Sequence, residues 1–230
     1  GSPLTIPQLR EACNLLSPNV VFLCETKNRQ QFMMKVRRQL RFDECVVVEF
    51  MNKSSGMIVM WNNEVKVLEV QTTAFTMKIH IMDIDKNVDW WLIGIYVSTN
   101  NQVRKNQWQV VQRRKVLWGP RRMIAGDFND ITSNEEKWGG RKRKEGTFHD
   151  FRNFIEQNGL IDLGFEGNPW TWSNHWTQEG EIKQRLDRAL GSNVWSQVFD
   201  RTLVRHIDNV GSDHSMMLID SNPLTEKRKK

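Results

Sequence analysis

Short apolar strands interleaved with amphipathic helical stretches predict a single α/β domain with mostly non-βαβ connections. Three observations carry this reading. The 230 residues are 39% hydrophobic and 26% charged, a globular balance with enough chain for one sizeable core. No stretch rich in proline, glycine and serine divides the chain, so no linker is expected. Short runs rich in β-branched residues alternate with helical patterns, and none of them repeats in sequence.

The elements follow in order. Thr5 and Gln8 have the spacing of a capping box, and Ile6, Leu9, Cys13 and Leu16 recur at helical intervals until Pro18. Residues 19–24 are an apolar run read as a buried strand, broken at Glu25-Thr26-Lys27. A second helix is expected over 29–40, with Phe32, Val36 and Leu40 on one face. Strands are expected at 45–50, 56–61 and 64–70. Residues 74–84 alternate, placing Phe75, Met77, Ile79 and Ile81 together, and 88–97 is apolar enough to be central in a sheet. A helix over 102–118 leads to a strand at 122–125 and then to a polar loop through Trp138-Gly139-Gly140. Thr147 is placed to cap a helix that buries Phe148, Phe151, Phe154 and Ile155 and closes at Gly159. Short strands are expected at 171–173, 182–190, 202–207 and 215–219. The domain is read as 1–220, with 221–230 a basic tail.

Composition excludes several classes. No apolar run approaches the ~18 residues that cross a bilayer, so no membrane partner is expected. The N-terminus lacks the basic-then-apolar pattern of a secretory signal. Cys13, Cys24 and Cys45 are odd in number and have no C-x-x-C spacing, which argues against a disulfide framework or a zinc finger. A reducing compartment, nuclear or cytoplasmic, is expected. The net charge is +6, yet the window 104–144 holds 12 basic and four acidic residues, so the remainder is slightly acidic. Such a local excess suits a surface that meets a polyanion; a solubilising basic surface gives the same count.

Chemistry is sought where polar clusters end apolar strands, because a group there is held rigidly at the rim of a sheet. Four clusters qualify: Glu25 in FLCETK, Asp127 and Asn129 in IAGDFND, Asp187 in RLDRAL, and Asp213-His214 in GSDH. Each alone has a plainer reading. Glu25 suits a helix start, Asp127 and Asn129 a turn, Asp187 an ion pair with Arg185 or Arg188, and His214 a core imidazole. Together they supply hard oxygen ligands for a divalent cation and donors for a phosphoryl group.

In this order, ETK, GDFND, RLDRAL and GSDH resemble the endonuclease/exonuclease/phosphatase superfamily, which includes the exonuclease III-like abasic-site nucleases. GDFNDITSNEEKWGGR, GLIDLGFEGNPWTWSN and RLDRAL are similar to the endonuclease domain of plant LINE-type (non-LTR) retrotransposons. The resemblance implies a four-layer α/β sandwich of two packed mixed sheets flanked by helices. It implies a DNA endonuclease that nicks one strand with Mg²⁺, or Mn²⁺, acting as a monomer. By position, Glu25 matches the metal-binding glutamate and Asp213 a second carboxylate near the metal. Asp127 matches the aspartate that orients the attacking water, and Asn129 the amide that holds that water and the phosphate. Tyr96, the only tyrosine, matches a phosphate-contacting tyrosine. His214 matches the imidazole that stabilises the scissile phosphate, and Asp187 the carboxylate that orients it. Thr171 falls where a residue lies against DNA, and Arg141, Lys142, Arg143 and Lys144 are expected to grip its backbone.

The sequence departs from that pattern in lacking the usual first strand and its active-site asparagine. An unpaired sheet position and an incomplete metal and phosphate site are therefore expected. No reverse-transcriptase segment is present in the 230 residues. A catalytically impaired DNA-binding relic, or a phosphatase of the same superfamily, are the alternatives. Of the ten tryptophans most fall in strand or helix patterns, leaving Trp138 and Trp176 as candidates for contact.

Overall fold

The computed structural model describes residues 5–49, 56–176, 180–208 and 212–223. In chain order the elements are α1 (Thr5–Leu16), β1 (Val20–Cys24), α2 (Gln30–Gln39), β2 (Glu44–Val48), β3 (Met57–Trp61), β4 (Lys66–Thr72), β5 (Thr76–Asp83) and β6 (Val88–Tyr96). Then come α3 (Asn101–Arg114), β7 (Arg122–Asp127), β8 (Lys137–Trp138), α4 (His149–Gln157), β9 (Leu160–Asp162), β10 (Trp172–Ser173) and β11 (Lys183–Gln184). The chain closes with β12 (Asp187–Ser192), α5 (Asn193–Val198), β13 (Leu203–Ile207) and β14 (Met216–Asp220).

Apolar alternation builds four layers. A six-stranded sheet runs β4-β5-β6-β7-β12-β9, antiparallel except where β6 and β7 lie parallel. Facing it are the antiparallel sheet β1-β3-β2 and the ribbon β13-β14. Met77, Ile79, Trp90, Met123 and Ala189 from the first side meet Phe22, Met57, Val59, Val204 and Ile219 from the second in one core. Outside β1-β3-β2, Ile6, Leu9 and Cys13 of α1 and Met33 and Val36 of α2 cover Ile58 and Met60. Outside the six-stranded sheet, Trp108 of α3 and Phe151 and Phe154 of α4 cover Trp91, Ile93, Ile95 and Ile124. Burying about ten such side chains, at roughly 1.5–3 kcal/mol each, is what makes each inter-layer seam cohesive. The sandwich of two packed sheets with outer helices is the expected one.

Local differences have physical reasons. In α2 the buried stripe is Met33, Val36 and Leu40, and Phe32 is exposed, because the helix turns its i, i+3, i+7 face to the sheet. The expected 102–118 helix ends at Arg114 and tightens into a 3₁₀ turn, Lys115–Trp118, before Gly119 and Pro120. Thr147 does not cap α4: it lies in the 3₁₀ turn Glu145–Phe148, and its Oγ1 donates to the Lys144 carbonyl. Gly159, at φ +60°, does close that helix. The expected 182–190 strand breaks at residues 185–186 into β11 and β12, which serve different sheets. Strands β8 and β9 and helix α5 carry too few periodic residues to be seen in sequence. The Thr5 side chain, Phe50 and the tail from 224 lie outside the described residues.

Among the described residues, β1 pairs only with β3 and β14 only with β13. Both strands are only half-buried, whereas β3, paired on both edges, is buried over Met57–Met60. No helix among the described residues is long and apolar enough to cross a membrane.

Candidate active site

A single pairing register gathers the first three candidate groups. β6 and β7 run parallel with Tyr96 beside Asp127, and β12 runs antiparallel with Asp187 beside Asp127. Register partners on adjacent strands project from the same face, so all three side chains leave the sheet together at one end. Gly126 makes this approach possible. It sits at φ +135°, and a Cβ there would fall 2.2 Å from the Ile95 carbonyl oxygen, so no other residue fits before Asp127. From the facing sheet, Glu25 follows β1 directly and His214 precedes β14. Glu25 and Asn129 hold left-handed backbone, at φ 51° and 48°. That conformation is natural for asparagine and costs a glutamate roughly 1 kcal/mol, strain of the kind found at working sites.

Glu25, Tyr96, Asp127, Asn129, Asp213 and His214 line one cleft of about 340 Å³, with Thr99, Arg104, Trp172, Gln184 and Leu186 completing its wall. Tyr96 Oη donates to Glu25 Oε1 at 2.6 Å, tying the two sheets together at the cleft. Asp187 Oδ2 accepts from His214 Nδ1 at 2.9 Å. His214 Nε2 lies 4.0 Å from Asp127 Oδ2, too far for a hydrogen bond and so open to the cleft. Asp127 is 2% exposed, and both its oxygens accept from Asn129, Oδ1 from the backbone N–H and Oδ2 from Nδ2.

Crowded carboxylates set the electrostatics. Burial, then the charge of Asp187, holds the Asp127 carboxyl well above the usual range; His214 and the Asn129 N–H oppose that, and Glu25 adds to it. Burial lowers the His214 imidazole, but the hydrogen bond and charge of Asp187, then Asp127 and Asp213, outweigh it and raise it to about 9. It is an imidazolium at neutral pH. Burial and the Glu25 carboxylate push the Tyr96 phenol up, so it stays a donor. The Cys24 thiol, beneath the site, is also pushed well up by burial and by Asp127, Asp187 and Glu25. The buried Asp127, the largely buried Asp187 and the half-exposed Glu25 therefore share one corner of the cleft with the His214 imidazolium. That donor set suits a hard divalent cation. No group of three or more His, Cys, Asp or Glu among the described residues is already arranged around one ion position.

Several predicted residues are placed otherwise than expected. Thr171 is 1% exposed, and its Oγ1 accepts the N–H groups of Leu186 and Asp187, both at 2.9 Å. Its carbonyl accepts from Ser215 N–H at 2.8 Å, so it pins Asp187 and the His214 segment from beneath rather than facing solvent. Both Asn129 Nδ2 hydrogens are committed, to Val97 O and Asp127 Oδ2. Tyr96 engages Glu25. The alternative ion pair for Asp187 is absent among the described residues, because Arg185 and Arg188 turn to Glu136 and Asp162 on the opposite side. Sequence reading missed Arg104, Trp172 and Gln184, whose positions depend on partners far along the chain.

The basic window shrinks once its pairs are seen. Arg104 and Arg143 bind Asp130, Lys105 binds Asp150 and Arg121 binds Asp89. Lys115, Arg122 and Lys137 donate to carbonyls. Arg113, Arg114, Arg141, Lys142 and Lys144 are exposed. The last three follow β8, whose register neighbour β11 carries Gln184 into the cleft. Trp138 and Trp176 are 49% and 67% exposed, unlike the core tryptophans Trp90, Trp91, Trp108, Trp118 and Trp195.

The model of the endonuclease/exonuclease/phosphatase family matches residues 4–214. Among solved structures, the fold is similar to the endonuclease domain of TRAS1, a telomere-specific non-LTR retrotransposon. That match has 16% identity and a TM-score of 0.70, covering 98% of this chain and 95% of the other. It is equally similar to NExo, a 3′ phosphatase from Neisseria bound to a product DNA hairpin, with 16% identity, TM-score 0.70, and 95% and 94% covered. The AP endonuclease LMAP from Leishmania major matches with 13% identity, TM-score 0.67, and 94% and 81% covered. A search of curated proteins returned no significant match.

The raised His214 imidazole has a measurable consequence in metal-free protein. A folded-state value above the unfolded ~6.5 contributes stability in full below that pH and loses it as pH rises through about 9. Urea midpoints measured from pH 6 to 9.5 are expected to fall more steeply for the wild type than for His214→Gln. Parallel curves would refute the charged assignment.

Proposed function

The chain belongs to the endonuclease/exonuclease/phosphatase family, a family of metal-dependent phosphodiester hydrolases, and on that premise we propose that it is a DNA endonuclease that nicks one strand, as in retrotransposon target-site cleavage. The observation that carries this reading is the joining of the Asp187–His214 pair, Asp127 and Glu25 in one cleft, with exposed Arg141, Lys142 and Lys144 on the loop that follows its wall. A duplex backbone laid across that loop brings one phosphodiester into the cleft.

Each group then has a task. Asp127, held by Asn129 and made more basic by burial and its neighbours, accepts a proton from the attacking water as the water oxygen bonds to phosphorus. The P–O bond to one sugar oxygen breaks, and that oxygen leaves, taking a proton from solvent. His214 keeps Nδ1 on Asp187 and presents Nε2–H to the phosphoryl oxygen on which charge grows. Because the donor is already charged and fixed, little reorganisation is needed as the oxyanion forms. Thr171 keeps Asp187 at that register by accepting its N–H and that of Leu186. Glu25, steadied by Tyr96, and Asp213 are the residues that would hold the cation, with Mg²⁺ the ion proposed and Mn²⁺ a substitute. When bound, it neutralises charge on the phosphate. Phosphodiester cleavage demands a barrier reduction upwards of ~20 kcal/mol in the slowest cases, which is why no single group suffices.

Two outcomes test the reading. With Mg²⁺, Asp127→Ala is expected to nick supercoiled plasmid at least about 10³-fold more slowly while keeping the wild-type circular dichroism, the size of loss seen when a key catalytic group is removed; unchanged nicking would remove Asp127 from the reaction. Replacing Arg141, Lys142 and Lys144 together by alanine is expected to flatten the slope of log affinity against log salt for duplex DNA by about 2.7, roughly 0.9 per phosphate contact. An unaltered slope would place the grip elsewhere.

A further inference from the structure

Asp130 is the residue after Asn129 and has no part in the chemistry above, yet it is 3% exposed. Its carboxylate receives two arginines from different parts of the chain. Arg104 Nε donates to Oδ2 at 3.2 Å, and Arg143 Nη1 donates to Oδ1 at 2.8 Å. Oδ1 also accepts from the Ile131 N–H at 3.0 Å, which closes the turn just after Asn129.

Each arginine reaches further. Arg104, 5% exposed, uses Nη1 to hold the carbonyls of Ser98 and Thr99, both at 3.0 Å, and Nη2 to hold Asn101. Ser98 and Thr99 form the exit from β6, directly after Tyr96 and Val97. Val97 in turn accepts from Asn129 Nδ2 and donates its N–H to the Asp127 carbonyl. Arg143 belongs to the basic loop. Its backbone pairs twice with Asn134, at 2.9 Å each, and its guanidinium also donates to Thr147 and lies over the Phe148 ring. One buried carboxylate thus joins the turn bearing Asp127 and Asn129, the exit strand bearing Tyr96, and the loop bearing Arg141, Lys142 and Lys144.

A buried carboxylate between two arginines is not in itself a stabilising device, since a well-packed apolar cluster of the same volume often serves as well. What it supplies is direction: its two oxygens are held by Arg104, Arg143 and the Ile131 N–H, donors from three segments. We propose that Asp130 is a positioning residue that locks the basic loop to the catalytic turn, so that a pull on the loop by a DNA backbone is felt at Asn129 and Asp127. This rests on the endonuclease reading for its purpose, and on the Arg104–Asp130–Arg143 contacts for its existence.

The two parts separate experimentally. In protein without DNA, Arg143→Gln is expected to speed hydrogen exchange of the Asn129 and Ile131 amides by about tenfold, a coupling of ordinary size for residues in one network. Arg143→Lys, which keeps a donor for Asp130, is expected to restore most of the protection. In an Asp130→Asn background, Arg143→Gln is expected to add nothing. Exchange at those amides unchanged by Arg143→Gln, or changed equally in both backgrounds, would overturn the proposal even if Asp130→Asn folds poorly. On plasmid, Asp130→Asn is expected to slow single-turnover nicking by about ten- to a hundredfold with duplex Kd unchanged, as misplacement of a catalytic group does; equal losses in rate and affinity would contradict a positioning role. Wild-type protein that shows the exchange coupling without nicking would defeat the endonuclease reading and leave the lock standing.

Discussion

Everything at the cleft depends on the register in which Tyr96, Asp127 and Asp187 lie side by side across β6, β7 and β12. A slip of one residue in any of the three strands would send its side chain to the opposite face, into the apolar layer beneath α3 and α4. The register is held from both sides. Ile93, Ile95 and Ile124 are buried on the helix side and Met123 and Ala125 on the sheet side, and Gly126 admits the Ile95 carbonyl where any Cβ would clash. Chemistry and core packing are consequences of the same alignment.

The second constraint is electrostatic. Asp127 is buried, Asp187 nearly so, and the half-exposed Glu25 lies close by in one corner of the cleft, with one imidazolium facing them. Such a corner is poised: it holds its proton on His214, raises the basicity of Asp127, and favours an added cation. The four charges of Arg185, Arg188, Glu136 and Asp162 lie on the other side of β12 and satisfy one another there, which among the described residues leaves the Asp187 carboxylate to His214. Two charged networks therefore share one strand without competing.

How much of this was readable before the structure follows from the range of the forces involved. The strand ends at Glu25 and Asp127 were legible because an apolar run stopping at a polar residue is a local signal, whereas Asp187 opens β12 and His214 precedes β14, so neither ends an apolar strand as expected. The layered α/β sandwich came from resemblance to a family, with the alternating patterns consistent with it. Partnerships across long separations were not legible. Nothing local says that Thr171 holds the N–H of Asp187, or that Arg104 meets Asp130. For the same reason the basic window looked larger than it is: Arg104, Lys105, Arg121 and Arg143 are spent on internal carboxylates, and counting charges cannot see that. Strands β8 and β9, of two and three residues, are too short for periodicity to register.

The central claim is that the cleft cleaves a phosphodiester within DNA rather than removing a terminal phosphate. Wild-type protein with Mg²⁺ can be offered a supercoiled plasmid and a 3′-phosphorylated DNA hairpin side by side, each with an EDTA control. Nicked circles that disappear with EDTA are expected, with no comparable release of phosphate from the hairpin. Intact plasmid together with EDTA-sensitive phosphate release would contradict it.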